Sequence, residues 1–441
     1  MKTALRYLLY VLLALFVTAA IAVALIVKLV LAPAKGEWSE RVQHGPIGFD
    51  VGVPTVLRLA TASWFAPQLA GHQFDSRFGR LRFEWNDASG LEVNCELCSL
   101  AVPELDDKPV QVRRLTFTVR RDVDSLFGSL RAVQDDVASG NELRGRWNGR
   151  LTQKDLQVSA EVDDAPIGQW YQLLVPQLPE LKRARIGGTA SLRLQVAVPD
   201  GAFNLQPRLV LFSVDGLGAE GLLESRVGSC GAPARLAGDA WLSRGAVAAL
   251  DAGFFQHPGY ESASLARGRA SSAPAAAPMP AAGTARPERV NSARIAAPTT
   301  PPPTLNLQVA RRLLPPLPHP EAQQLRDLLY AVEFERAPGK QRLLQAYLDM
   351  APWGEQLCGA EAAARRYFKR SARSLEPTQA IWMATLLRDP DAMLQKWRAE
   401  GQIDRPAARK VAEQVHDISA GQRAALFRGV ANARFVAPAA P

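Results

Sequence analysis

The strongest constraint on this chain is a period of two. Between about residues 45 and 225, apolar and polar side chains alternate in repeated runs: Leu81-Arg82-Phe83-Glu84-Trp85, Val112 through Val119, Leu156 through Val162, and Ala190 through Val196. Successive side chains on a strand point to opposite faces, so each run predicts a strand with one apolar and one solvated face. Turn-forming residues such as Asn86-Asp87, Pro199-Asp200-Gly201 and Asp215-Gly216 separate the runs, which predicts antiparallel pairing. Helical interruptions are expected near Val53–Ala70, Asp122–Val137 and Ile167–Leu181. The zone contains no catalytic constellation.

A chain of 441 residues has room for two or three domains. Residues 1–6 form a short basic head with Lys2 and Arg6, and residues 7–32 hold an apolar run from Tyr7 to Val27 closed by Lys28. As a helix that run is long enough to cross a hydrocarbon core of about 30 Å. A cleaved secretory signal would have an apolar region of only ~7–15 residues, so the expectation is an uncleaved transmembrane anchor. A single-pass protein of the inner (cytoplasmic) membrane follows, with its main body in the periplasm. The net charge of +9 suits work near anionic head groups, pyrophosphates or cell-wall polymer. A membrane span without basic-aromatic interleaving argues against nucleic acid. Cys95 and Cys98 form a C-x-x-C with no second pair and no nearby histidines, so a local disulfide is expected in an oxidising compartment rather than a zinc site.

From residue 262 to 303 the composition turns to Ala, Pro, Ser and Arg, too poor in large apolar residues to offset its ordering entropy. That stretch is expected to be a disordered insertion. Spacings of three and four then return from about Leu305 to Val430, with Leu325, Leu328, Leu329 and Val332 on one face and Leu343, Leu344, Tyr347 and Leu348 on another. The fold class expected is α+β: an N-terminal transmembrane helix, a β-rich middle domain at 45–225 and a mostly α-helical C-terminal domain at 235–430, interrupted by the insertion.

One stretch of the helical zone is more specific than generic helix. Lys340-Gln341-Arg342-Leu343-Leu344-Gln345-Ala346-Tyr347-Leu348-Asp349 resembles the K-x-x-I-L-x-x-Y-L-N motif of glycosyltransferase family 51, the peptidoglycan glycosyltransferases that polymerise lipid II. The resemblance continues through Trp353-Gly354, Gly359 to Phe368, and Leu375-Glu376 to Pro390. It implies a lysozyme-like helical fold, a lipid II or glycan-strand partner, possible contacts with other cell-wall synthesis proteins, and a divalent cation such as magnesium.

Upstream, Leu250-Asp251-Ala252-Gly253-Phe254-Phe255-Gln256-His257-Pro258-Gly259 is similar to the family's first motif, E-D-x-x-F-x-x-H-x-G, with Leu250 at the glutamate position. The second motif falls on Pro301 to Val309, where Thr304 and Gln308 match. The third falls on Gln323 to Asp327, with Asp327 at the carboxylate position. The resemblance makes the first glutamate the general base on the acceptor hydroxyl. Leucine cannot take that proton, and general-base catalysis is typically worth ~100- to 10,000-fold. Asp251 and Asp327 are the candidate replacement carboxylates. His257, Thr304, Gln308, Arg326, Arg336 and Lys340 are the candidate substrate-binding residues, and no metal-ligating set stands out. The expected function is a membrane-anchored peptidoglycan glycosyltransferase-like protein of weak or absent polymerase activity. The alternatives are a polymerase with a different base, and a non-catalytic envelope scaffold or lipid-binding protein acting through the β-rich domain. No S-x-x-K with an accompanying K-T-G is present, which argues against a transpeptidase.

Overall fold

The computed structural model describes residues 32–439 apart from 45–46, 77, 103–104, 135–141, 227–228 and 271–300. The expected anchor therefore lies outside the described residues save Ala32. No helix among the described residues is long and apolar enough to cross a membrane.

The alternating runs form strands, as their period requires. β1 (Ser39–His44) and β2 (Ile47–Gly52) pair as a separate hairpin. α1 (Val53–Ala60) and α2 (Ala66–Leu69) follow. Then come β3 (Gln73–Ser76), β4 (Gly79–Asn86), β5 (Gly90–Leu100), β6 (Val110–Asp122), β7 (Ser125–Val133), β8 (Glu142–Leu151) and β9 (Leu156–Pro166). After α3 (Ile167–Leu174) the sheet resumes with β10 (Arg185–Val198) and β11 (Ala202–Asp215). A ten-stranded antiparallel sheet results, each strand beside its neighbour in sequence from β3 to β11, with β12 (Arg267–Arg269) closing the far edge.

Two expectations need correction. Within the helix expected at Asp122–Val137, the described residues 122–134 are not helical: Asp122 ends β6 and Ser125–Val133 form β7, paired with β6 and β8. Leu126, Leu130 and Val133 have helix-compatible spacing, but ladder hydrogen bonds on both sides override that local pattern. Of the disordered insertion expected at 262–303, residues 271–300 lie outside the described residues, and its described start is ordered. Ser262–Leu265 forms a 3-10 turn and Arg267–Arg269 a strand, because β11 offers a free edge and Glu321 pairs with Arg267 at 3.1 Å.

The helical region comprises α4 (Ala219–Glu224), α5 (Trp241–Leu250), α6 (Leu305–Leu313), α7 (Pro320–Arg336), α8 (Gly339–Met350), α9 (Ala360–Phe368), α10 (Pro377–Leu386), α11 (Pro390–Glu400), α12 (Arg405–Glu413) and α13 (Ala420–Asn432). α10 is central, with Ile381, Trp382, Met383 and Ala384 fully buried, as expected of a helix apolar all round. One apolar core runs from these helices into the sheet through Tyr171, Phe212 and Val214.

Polar contacts reinforce that junction. Tyr171 donates its hydroxyl to the Leu325 carbonyl at 2.8 Å, and Glu333 accepts the Leu217 and Gly218 amides at 3.0–3.2 Å. Besides Cys95–Cys98, a second disulfide joins Cys230 to Cys358, a pair 128 residues apart that motif spacing does not reveal.

Candidate functional site

The end of α5 sends its last two groups into different surroundings. Leu250 is half-buried and packs on the main core. Asp251 leaves the helix in an extended conformation (φ −161°), so its side chain turns inward rather than projecting beside residue 250. Its carboxylate accepts the Nε2–H of His257 at 2.9 and 3.0 Å and the Leu305 amide at 2.8 Å. His257 Nδ1 accepts the Gly259 amide at 3.1 Å. With Nδ1 accepting from the backbone, Nε2 is the nitrogen left to donate to Asp251. Both residues hold the turn that follows α5 and tie it to the start of α6.

The residues around them lock together in the same way. Thr304 donates to the Gly259 carbonyl at 2.8 Å and caps α6 by accepting the Leu307 amide. Gly259 has φ +87°, and a Cβ there would stand 2.6 Å from the Ala331 carbonyl oxygen and 2.9 Å from Asn306 Nδ2, so only glycine fits. Buried Asn306 donates to that carbonyl at 3.0 Å. Lys340 Nζ donates to Glu335 at 2.6 Å and to the His257 carbonyl at 2.9 Å, and lies 4.7 Å from the centre of the Phe254 ring. Gln308 donates to the Pro303 carbonyl at 3.0 Å and accepts the Tyr347 hydroxyl at 3.4 Å.

A second cluster lies between α6 and α7. Asp327 is fully buried, not a surface carboxylate. Arg311 Nε donates to its Oδ2 at 3.3 Å, while Oδ1 is 3.8 Å from Arg326 Nη2 and has no hydrogen-bond partner among the described residues. Burial pushes the Asp327 carboxyl above the ordinary carboxylate range, and Arg326, Arg311 and the Gln323 amide pull the other way. Arg326 is itself buried and donates to the Pro315 carbonyl at 2.6 Å. Two guanidiniums against one carboxylate leave the cluster cationic, and half-exposed Arg311 brings that charge to solvent. An anionic ligand suits it.

Of the residues expected from sequence, Asp251, His257, Thr304 and Lys340 meet in the turn network, and Arg326 and Asp327 in the cationic cluster. Arg336 stands apart from both, pairing with Asp215 of β11 at 3.1 Å. Sequence reasoning overlooked Arg311, Asn306 and Glu335. The signal for Arg311 is its place three residues after Gln308, on the same helix face. Among the described residues no group of three or more His, Cys, Asp or Glu could hold a metal ion, and Asp327 faces two arginines. That donor set does not fit a divalent cation held by protein alone, so no step is routed through one.

Residues 302–416 match the family model described as Transglycosylase. The match begins just before the cap of α6 and runs through α12, so it covers the cationic cluster and Lys340 but not Leu250 to Gly259. The chain is similar to proteins named biosynthetic peptidoglycan transglycosylase. Over 87 residues it is 37% identical to that of Nitrosomonas europaea, covering 20% of this chain and 36% of the relative. Over 149 residues it is 30% identical to those of Nitrosomonas eutropha and Thiobacillus denitrificans, covering 34% of this chain and 53% and 56% of the relatives. The chain thus spans between about a third and just over half of the length of these curated relatives. The helical region is a transglycosylase-type domain packed on a β-sheet. Residues 302–416 are a domain of the glycosyltransferase family 51 type.

Proposed function

We propose that this protein binds lipid II or the glycan strand made from it, from an anchor at residues 7–32 in the inner membrane, and polymerises it weakly or not at all. The observation that carries this reading is the state of the two residues at the head of the first motif. Leu250 has no titratable group, and the buried Asp251 carboxylate is held facing inward by the His257 ring and the Leu305 amide, away from an acceptor hydroxyl. A base must reach the proton it removes and must have a lone pair to receive it, and neither residue meets both conditions. The cationic cluster at Arg311 and Arg326 supports retained binding, since the pyrophosphate of a lipid-linked sugar needs such charge.

A polymerase using Asp327 as its base is the competing reading. Its buried Oδ1, without a hydrogen-bond partner among the described residues, supports that reading, while the two arginines facing the carboxylate argue against its acting as a base. Polymerisation of labelled lipid II by the full-length protein in detergent, resolved as glycan strands, tests both. No strands are expected from the wild type, and Leu250→Glu is expected to raise turnover about 100-fold or more. Strand ladders from the wild type that disappear in Asp327→Asn would overturn the proposal.

A further inference from the structure

The β-sheet carries an apolar band that lies outside both hydrophobic cores. Register aligns Phe83 with Val93, Val93 with Phe117, and Phe117 with Leu130; Gly145 links Leu130 to Val162, which lies opposite Leu192. Side chains paired in this way share a face. None of the six apolar residues belongs to either buried cluster or to the apolar residues packed against one; Phe117 is 36% exposed and the other five are half-buried, Phe83 against the ring of Phe74. The opposite face of the same strands is polar, with Thr116 donating to Asn94 at 2.6 Å. At roughly 4.8 Å per strand the band from β4 to β10 is about 29 Å wide, much wider than the scattered single apolar residues of an ordinary surface.

The chemistry changes at the far edge. β12 places Arg267 opposite Leu205 and Arg269 opposite Phe203, so the apolar face ends in two guanidiniums. Arg267 is held by Glu321, at the start of α7, whereas Arg269 is exposed and has no ion-pair partner among the described residues. α7 is also the helix that bears Asp327, and it packs against β11 and holds the Leu217 and Gly218 amides just beyond that strand. Hydrocarbon along the band, an anion at its edge and the transglycosylase domain beyond it describe one amphiphile.

We propose that this face binds the polyisoprenyl tail of a lipid-linked sugar, with Arg269 meeting its phosphate, so that the sheet presents the head group to the helical domain. The proposal rests on the reading of that domain as a lipid II-binding module. A chain at an exposed phenylalanine should lose about tenfold in affinity when the contact becomes a charge, from the burial energy of an aromatic side chain.

The test replaces Phe117 in the full-length protein with the photoreactive analogue p-benzoylphenylalanine, in detergent containing a radiolabelled polyisoprenyl phosphate. Phe127 is the matched control: it is 42% exposed and lies opposite Arg120 and Asn148, on the other face. Label is expected at position 117 and not at 127, competed by unlabelled polyisoprenyl phosphate, with Phe117→Lys weakening binding about tenfold and Phe127→Lys leaving it unchanged. Cross-links from 117 to a second copy, to residues 7–27, or preferentially to a diacyl phosphatidic acid would each overturn the proposal. Label confined to the helical domain would overturn it while leaving the proposed function standing. Label at 117 in a protein that does not bind the lipid II head group would do the reverse.

Discussion

Replacement of Asp251 by alanine separates a structural carboxylate from a catalytic one. The substitution strands two donors: the Leu305 amide, on a residue that is 0% exposed, and the His257 Nε2–H, on a side chain that is 9% exposed. A buried donor left without a partner costs about 1–3 kcal/mol, so the pair predicts roughly 4 kcal/mol of lost stability. Relief of the desolvation of a buried carboxylate offsets part of this, and about 3 kcal/mol is the net expectation. Asp251→Asn keeps one acceptor oxygen and should lose about half as much. The assay is urea unfolding of the full-length protein in detergent, followed by tryptophan fluorescence, with the shift in midpoint multiplied by the slope. Asp251→Ala within about 1 kcal/mol of wild type, combined with a loss of polymerase activity that the wild type possessed, would refute the structural assignment and make Asp251 the replacement base.

Asp327 gives a pH signature. Its folded-state pKa lies above the ordinary value because burial disfavours the charge, so the folded chain binds this proton more tightly than the unfolded one. Its contribution to stability is present below the unfolded pKa and is lost as pH rises through the folded pKa. Asp327→Asn should therefore flatten stability against pH in that window, leaving the protein at neutral pH no less stable while weakening binding of a pyrophosphate-bearing lipid; a steeper profile would contradict this. Serine at both Cys230 and Cys358 should cost roughly 2–4 kcal/mol, because the bridge closes a long loop of the unfolded chain, and the urea midpoint of the wild type should fall correspondingly under reductant. Gly259→Ala should cost more than about 2 kcal/mol, since its Cβ meets a carbonyl oxygen at 2.6 Å in a left-handed conformation, and circular dichroism on heating would detect this as a lower midpoint.

The strands from Leu81 to Val196 were legible because a half-solvated face imposes strict alternation, and the helices from Leu305 to Val430 because their apolar spacings repeat. β7 was not, since its leucines at 126 and 130 fit helix and strand equally and only the partners β6 and β8 decide between them. The order of residues 262–269 was not legible for a related reason: Arg267 and Arg269 have no strand signal of their own and are ordered by an edge far away in sequence. At the site, motif spacing located Asp251, His257 and Thr304 but carried no sign that they satisfy one another. That reciprocity depends on the backbone turning out of α5 at Asp251, a tertiary fact. Arg311 escaped notice because its partner Asp327 lies on the next helix and the pairing needs both helices packed.

The same helix joins the two halves of the molecule, and its faces divide the work. On α7, Leu325 accepts from Tyr171, Tyr330 accepts from Arg183 at 3.0 Å, and Glu333 holds the chain leaving β11. Between those contacts, Arg326 and Asp327 turn to α6, and Glu335 holds Lys340. A rigid helix cannot shift one set without shifting the other, so changes at the sheet junction should reach the cationic cluster. Tyr171→Phe tests this: its lost hydrogen bond is worth about 1 kcal/mol, and mechanical coupling predicts weaker lipid II binding although Tyr171 belongs to neither the turn network nor the cationic cluster. Binding unchanged in the face of that stability loss would mean that the sheet supports the domain without setting the geometry of its site.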